Sequence, residues 1–172
     1  MPEIAEVVYK REQISYPKFF KMDLLSRVAF LATELLNPDY SSIEKEKIAV
    51  VLSTYSGCLE VDKKFEESRK DFASPALFVY TLPNIMLGEI CIRNGFKGEQ
   101  MCRVEEQFNP DWFVFYVSDL LNNRETDACL FGHVEAIISK IEVDLFWVSK
   151  TGGRAKEMAF NKENLMRIFR NH

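Results

Sequence analysis

The residues whose types could do chemistry are few. The only imidazoles are His133 and His172. The four cysteines, Cys58, Cys91, Cys102 and Cys129, show no CxxC step and no Cys/His ligand spacing. No metal site or redox pair is therefore expected. Each thiol sits among apolar neighbours, where a free cysteine behaves as a small hydrophobe. Reduced, buried cysteines in turn point to the cytoplasm. Glu105-Glu106 with Asp111 would serve acid–base work if paired in a cleft, but acids at strand and helix ends are ordinarily solvated. A serine–histidine arrangement would need His133 beside Ser53 or Ser118, and nothing in the sequence brings them together. Gly95-x-x-Gly98 and Gly152-Gly153 read as turn glycines, since neither opens a helix in the phosphate-cradling pattern. The charge run Glu60–Lys70 reads as a solvated helix face. No cofactor is implied.

The 172 residues are 47% apolar and 28% charged, the proportions of one globular domain spanning 1–172. Twenty-two basic and 26 acidic residues leave a net charge of −4. That balance argues against a nucleic-acid partner, which needs a basic face. The longest basic cluster, Lys18–Lys21, has two phenylalanines inside it. No segment reaches the ~18 uninterrupted apolar residues of a membrane helix. Met1–Glu6 is acidic and lacks the basic-then-apolar order of a signal peptide, so no membrane partner is expected either.

The elements that must position these residues alternate in type. Ile4, Val7, Val8 and Tyr9 suggest a short strand over 4–9. Asp23 reads as an N-cap, followed by a helix with Leu24, Leu25, Val28, Leu31, Ala32, Leu35 and Leu36 on one face, stopped at Asn37-Pro38. The continuous apolar run 48–53 predicts a strand covered on both faces. A polar helix with Leu59 and Phe65 on its buried side is expected over 59–70. Residues 82–94 form the next helix, with Pro83 in its first turn and Gly95 after its end. Gly88 inside that helix costs about 1 kcal/mol against alanine, which suggests close packing against another backbone. Strands follow at 100–106, 128–134 and 140–149, with a helix at 110–122 and a closing helix at 161–170 capped by Asn161. The apolar run Trp112–Tyr116 predicts a helix buried all round, in a core or an interface. Alternation of strands and helices predicts a layered α/β fold with a mostly parallel sheet.

The middle of the chain resembles the N-terminal half of a β-ketoacyl-[acyl carrier protein] synthase, of the thiolase-like fold. Ser74-Pro75, Thr81-Leu82-Pro83-Asn84, Gly88, Gly95 and Gly98 are similar to the family's stretch ahead of its nucleophile. Asp127–Glu135, with Gly132 inside it, resembles the family's ADxxLAGGxE strand. Met22–Leu36 and Ile48–Gly57 are similar to an early helix and a strand ending in a glycine turn. The resemblance covers roughly residues 18–137 and leaves 138–172 outside it.

A gapless placement on this pattern puts Gln107 at the nucleophile position. Condensation needs a thiolate to accept the acyl chain, and an amide cannot do this. The segment Gln107–Trp112 is also bulky where the family has small residues. The family's two catalytic histidines belong to a second half. His133 falls where the family has a glycine and reads as structural; His172 is terminal. Gln107 has three readings: a polar residue in a decayed site, the mark of a chain-length-factor-type partner subunit, or an oxyanion-hole-like donor in a malonyl-carrier decarboxylase.

The resemblance thus implies an α-β-α thiolase-like half with a five-stranded mixed sheet and no catalytic nucleophile. It implies a truncated, non-condensing accessory protein in fatty-acid or polyketide-type acyl-chain synthesis. Its partners would be a full-length ketosynthase, as a heterodimer, or a second copy, as a homodimer, and an acyl carrier protein, with Lys18, Lys21, Arg27 and Lys97 as the expected contacts to it. The alternatives are the decarboxylase and a structural homodimer with an unrelated binding role.

Overall fold

The structure is a computed structural model that describes residues 2–150 and 158–170. Gly152-Gly153 and His172 lie outside the described residues. Among these, four strands form one sheet in the order β2-β1-β3-β4. β1 (Ile48–Thr54) runs parallel to β2 (Gln100–Val104) and to β3 (Ala128–Ile137), and β4 (Lys140–Ser149) returns antiparallel to β3. The layered mixed α/β architecture is as expected, but the sheet has four strands and not five.

The missing strand is a helix. Residues predicted as a strand over 4–9 belong to α1 (Pro2–Arg11). Ala5 and Tyr9, one helical turn apart, pack with Phe19, Met22, Phe30 and Leu31 in a small core of their own. A short apolar run carries too little periodicity to separate the two states; here the aromatic stack of Tyr9 on Phe19, with centroids 4.4 Å apart, decides for helix.

Phe19 lies in a 3-10 turn, Pro17–Lys21, ahead of α2 (Leu24–Leu36). Asp23 caps α2 as predicted, accepting from the backbone N–H of Ser26 at 3.1 Å and of Leu25 at 3.2 Å. Asn37 ends the helix in the left-handed conformation. Between β1 and β2 run α3 (Leu59–Ser68), a short α4 (Pro75–Val79) and α5 (Ile85–Asn94). α5 begins after Pro83, so that proline lies in the preceding turn and not in the helix. On α3 the buried residue is Val61, while Leu59 is exposed.

The helices cover both faces of the sheet. Ile48, Val50 and Leu52 of β1 pack with α2 and α5, together with Leu130 and Val134 of β3. Ala49 and Val51 face the other way, against α6 (Pro110–Asn123) and α7 (Lys162–Arg170). All seven residues of β1 are buried, which explains why its sequence is an unbroken apolar run. The α6 face is aromatic: Phe108 sits 5.0 Å from both Phe113 and Phe169, and Phe131 sits 5.4 Å from Phe146 and 5.3 Å from Phe160. α6 is not buried all round, however. Phe113 and Val117 face the core while Phe115 is 71% exposed.

Candidate functional site

The three parallel strands place their carboxyl ends together. The chain leaves β1 for β2 through α5 on one face, then crosses back to β3 through α6 on the other. Crevices at such reversals, beyond the carboxyl ends of the strands, are where open α/β sheets bind ligands. Gln107, Ser53, His133, Glu105 and Glu135 are on or just beyond these ends, whereas Gly88 lies in α5 and Gly95 and Gly98 precede β2.

Gln107 lies in the loop between β2 and α6, two residues before the Asn109 N-cap, whose side chain accepts from Trp112 N–H at 3.1 Å. It is exposed. Its neighbour Phe108 is buried in the aromatic cluster, and that anchor fixes the loop to the α6 face. The amide is a donor and acceptor at a helix N-terminus and can form no thioester.

No cysteine substitutes for a nucleophile. Burial pushes the thiols of Cys91 and Cys102 up to about 11. Cys58 is pushed up to about 12, by burial first and then by the charge of Asp23. Cys129 rises further still, for the same first reason. All four are free, Cys58, Cys91 and Cys129 buried and Cys102 partly so, and raised thiols are poor nucleophiles.

One strand away, the structure joins two residues that the sequence left apart. Ser53 on β1 and His133 on β3 are register partners, and Ser53 Oγ lies 2.8 Å from His133 Nδ1. Both are buried. Burial lowers the His133 pKa, against the opposing pull of Glu135, Glu142, Asp144 and Glu105. A serine with no exposed surface cannot reach a substrate, so the pair is a buried polar tie between two strands. Ser118 has no part in it.

Glu135, two residues further along β3, holds the turn that leaves β1. Its Oε2 accepts from Thr54 Oγ1 at 3.2 Å and from the backbone N–H groups of Tyr55 and Ser56, both at 3.0 Å. Burial alone would raise its carboxyl, but these bonds together outweigh it and hold the group below its ordinary value. Glu105 follows β2, with its N–H bonded to Thr54 carbonyl at 3.0 Å. Its carboxylate takes Arg103 at 3.1 Å, and that guanidinium lies 3.8 Å from the Trp112 ring centroid. Glu106 and Asp111 are exposed and join no paired-carboxylate site. Among the described residues, no group of three or more His, Cys, Asp and Glu is arranged to hold a metal.

The glycines and Asn84 of the sequence motif fall in varied roles. Asn84 is the exposed N-cap of α5 and makes no side-chain cap bond. Gly95 ends α5 at φ +73°. Gly98 lies against the Ile48 carbonyl, leaving no room for a Cβ. Gly132 has φ +151°, and a Cβ there would collide with the Asp144 carbonyl on β4. Gly88 does not make the close backbone approach expected of it: nothing lies within 4 Å of where its Cβ would be.

At the same end of the sheet, on the face that α2 covers, a cavity of about 260 Å³ is lined by Met22, Leu25, Cys58, Leu77 and Tyr80, with Gly57 after β1, Ala136 of β3, and Lys21 and Lys64 among its polar lining. No helix among the described residues is long and apolar enough to cross a membrane.

No protein-family model and no curated protein matches the chain. Solved structures do. A ketosynthase (ApeO) in complex with its chain length factor (ApeC), from Xenorhabdus doucetiae, matches at TM-score 0.56 and 18% identity over 73% of this chain. The ishigamide ketosynthase/chain length factor matches at 0.58 and 21% over 68%. A complex of AntDE with AntF, a type II polyketide synthase acyl-carrier protein with its ketosynthase, matches at 0.56 and 16% over 73%. The chain covers 51%, 35% and 39% of those chains, respectively. At these identities the likeness is one of fold: the chain shares the thiolase-like ketosynthase fold over part of that fold's length.

Proposed function

We propose that the chain is a ketosynthase-like accessory protein of fatty-acid or polyketide-type acyl-chain synthesis, with no condensing activity of its own. The observation that carries this reading is Gln107 in the loop beyond the carboxyl end of β2, the position that the resemblance gives to the nucleophile, with every cysteine buried or half-buried and raised. Residues 1–172 act as one ketosynthase N-terminal-like unit, in the cytoplasm, where the thiols stay reduced. Its partners are a full-length ketosynthase, an acyl carrier protein or a second copy. The neighbours supporting the reading are ketosynthases in complex with a chain length factor or with a carrier protein.

Native mass spectrometry of the protein isolated gently from its own host tests it. A ketosynthase-sized chain or a carrier protein bound to it is the expected result. A bare dimer of about twice 20.0 kDa would overturn the accessory role in favour of a self-contained homodimer. Separately, Gln107→Cys in these 172 residues is expected to gain no condensing activity, because His133, the one imidazole among the described residues, is buried and tied to Ser53.

A further inference from the structure

The cavity of about 260 Å³ at the carboxyl end of the sheet has a buried floor and an exposed mouth. Met22, Leu25, Val61 and Ala136 line it from buried positions, and Leu77 from a half-buried one. They come from the turn before α2, from α2, α3 and β3, and from α4, so segments distant in sequence converge on one space. Lys21, Lys64, Ala76 and Ile138 line it from exposed positions. Ile138 is 57% exposed, which carries the apolar lining out to the mouth. The wall at Tyr80 is fixed from behind. Its hydroxyl donates to Glu89 Oε1 at 3.0 Å, and Lys18 pairs with the other oxygen at 2.9 Å.

The charges at the mouth are uneven. Neither Lys21 nor Lys64 forms an ion pair or a side-chain hydrogen bond among the described residues. Of the two acids in the lining, Asp23 is taken up by the first N–H groups of α2, and Glu60 remains. Glu60 stands in the first turn of α3, whose N-cap Cys58 makes no side-chain bond. The positive end of that helix therefore partly offsets the Glu60 carboxylate, and the two ammonium groups are left in excess. The space itself is generous. A cavity of ~150 Å³ lined by aliphatic and aromatic side chains takes benzene, so this one takes a longer apolar body.

We propose that this cavity binds a single-chain alkyl carboxylate of medium length, with the chain on the apolar floor and the carboxylate at Lys21 and Lys64. The chain supplies the affinity, because each buried methylene adds roughly three- to fourfold. The lysines select the charge, as a modest effect at an exposed mouth. An alkylammonium fills the floor but meets two cations. An inorganic anion meets the cations but leaves the floor empty. The site stands independently of the accessory role, since Gln107 has no part in it.

The probe is sodium octanoate below its micellar range, added to the full chain and read by the thermal midpoint and by methyl NMR shifts. Octylammonium chloride has the same chain and the opposite charge; butanoate has the same charge and a chain four methylenes shorter. Octanoate is expected to stabilise saturably, as ligand linkage requires, and to move the signals of Leu25, Val61 and Leu77. Octylammonium is expected to bind about tenfold more weakly, and butanoate about a hundredfold more weakly. Lys21→Gln combined with Lys64→Gln is expected to erase the preference for octanoate over octylammonium. It should leave the midpoint of the free protein nearly unchanged, both side chains being exposed. Ala76→Trp, at another exposed position of the mouth, is expected to block both octyl ligands. Equal binding of the two octyl ligands, or a preference kept by the double variant, would overturn the carboxylate assignment. A midpoint unmoved by octanoate, shifts that miss the three floor residues, or undiminished binding by Ala76→Trp would overturn the site.

Discussion

A single oxygen, Glu135 Oε2, gathers three donors at the end of β1. Glu135→Ala would leave two backbone N–H groups in a part-buried turn without an acceptor, and a loss of about 2–5 kcal/mol is expected from denaturant unfolding. The same residue bears on pH. Its folded carboxyl sits below the ordinary value, so its stabilisation is present above the unfolded pKa and is lost as pH falls through the folded one. His133 acts in the same direction at higher pH. Its pKa is lowered in the fold, so the neutral ring contributes stability above the unfolded value of about 6.5, and this is lost progressively as acid protonates the unfolded chain first. His133→Asn should therefore lose less stability than the wild type between pH 7.5 and pH 5.5, the difference approaching at most ~1.4 kcal/mol per pH unit. Equal slopes for the two proteins would refute this. The sequence reads His133 as structural, and the fold makes it a buried polar tie; its pairing with Ser53 depends on strand register, which one sequence does not encode locally, and the hold of Glu135 on the turn after β1 has no local signal either. Gly88 was misread for a related reason, since a helical glycine shows its cost in sequence but not what lies opposite. With nothing opposite, Gly88→Ala is expected to stabilise by about 0.5–1 kcal/mol, whereas Gly132→Ala must push β4 away and should cost several times that.

At the scale of elements, what could be read was what depends on short-range chemistry. The Asp23 cap, the Asn37 stop, the Gly95 terminus and the buried strand at 48–54 all rest on neighbours within a few residues. What escaped was set by contacts far along the chain. The segment 4–9 is helical because Ala5 and Tyr9 find Phe19 and Phe30. The turn that presents Phe19 is itself held by Arg27, whose guanidinium donates to the carbonyls of Phe19, Phe20 and Met22 and pairs with Glu6 of α1. The site loop depends on the aromatic cluster in the same manner. Phe108 joins α6, β4 and α7 through Phe113, Phe146 and Phe169. Phe108→Ala should cost roughly 3–5 kcal/mol, and hydrogen exchange should show the loss first in the Gln107 loop and α7 rather than in β1, which α2 and α5 cover from the other face. Uniform deprotection would instead mean that the α6 face has no local independence.

For the molecule as a whole, the open question of surface is the free edge of β2. Val50 N–H bonds Glu99 carbonyl and Glu105 N–H bonds Thr54 carbonyl, so the odd-numbered residues of β2 face β1. The backbone groups of Gln100, Cys102 and Val104 consequently point outward, and Val104 is 64% exposed. An edge of this kind is a template for another strand unless something covers it. Phe115 on α6 is likewise turned to solvent, as a large apolar group that assembly would bury. If the pairing proposed above forms, with a second copy or with a ketosynthase, β2 and the neighbouring Phe115 are the expected contact. Val104→Pro removes an outward donor without breaking a bond to β1, so it should leave the monomer's circular dichroism and unfolding midpoint nearly unchanged while abolishing assembly in light scattering. Phe115→Glu should weaken assembly without touching the edge. If both variants assemble as the wild type does, the contact lies elsewhere, and the outer edge offered by β4 becomes the surface to block. If Val104→Pro alone unfolds the chain, Phe115→Glu still decides, because its side chain lies outside the core.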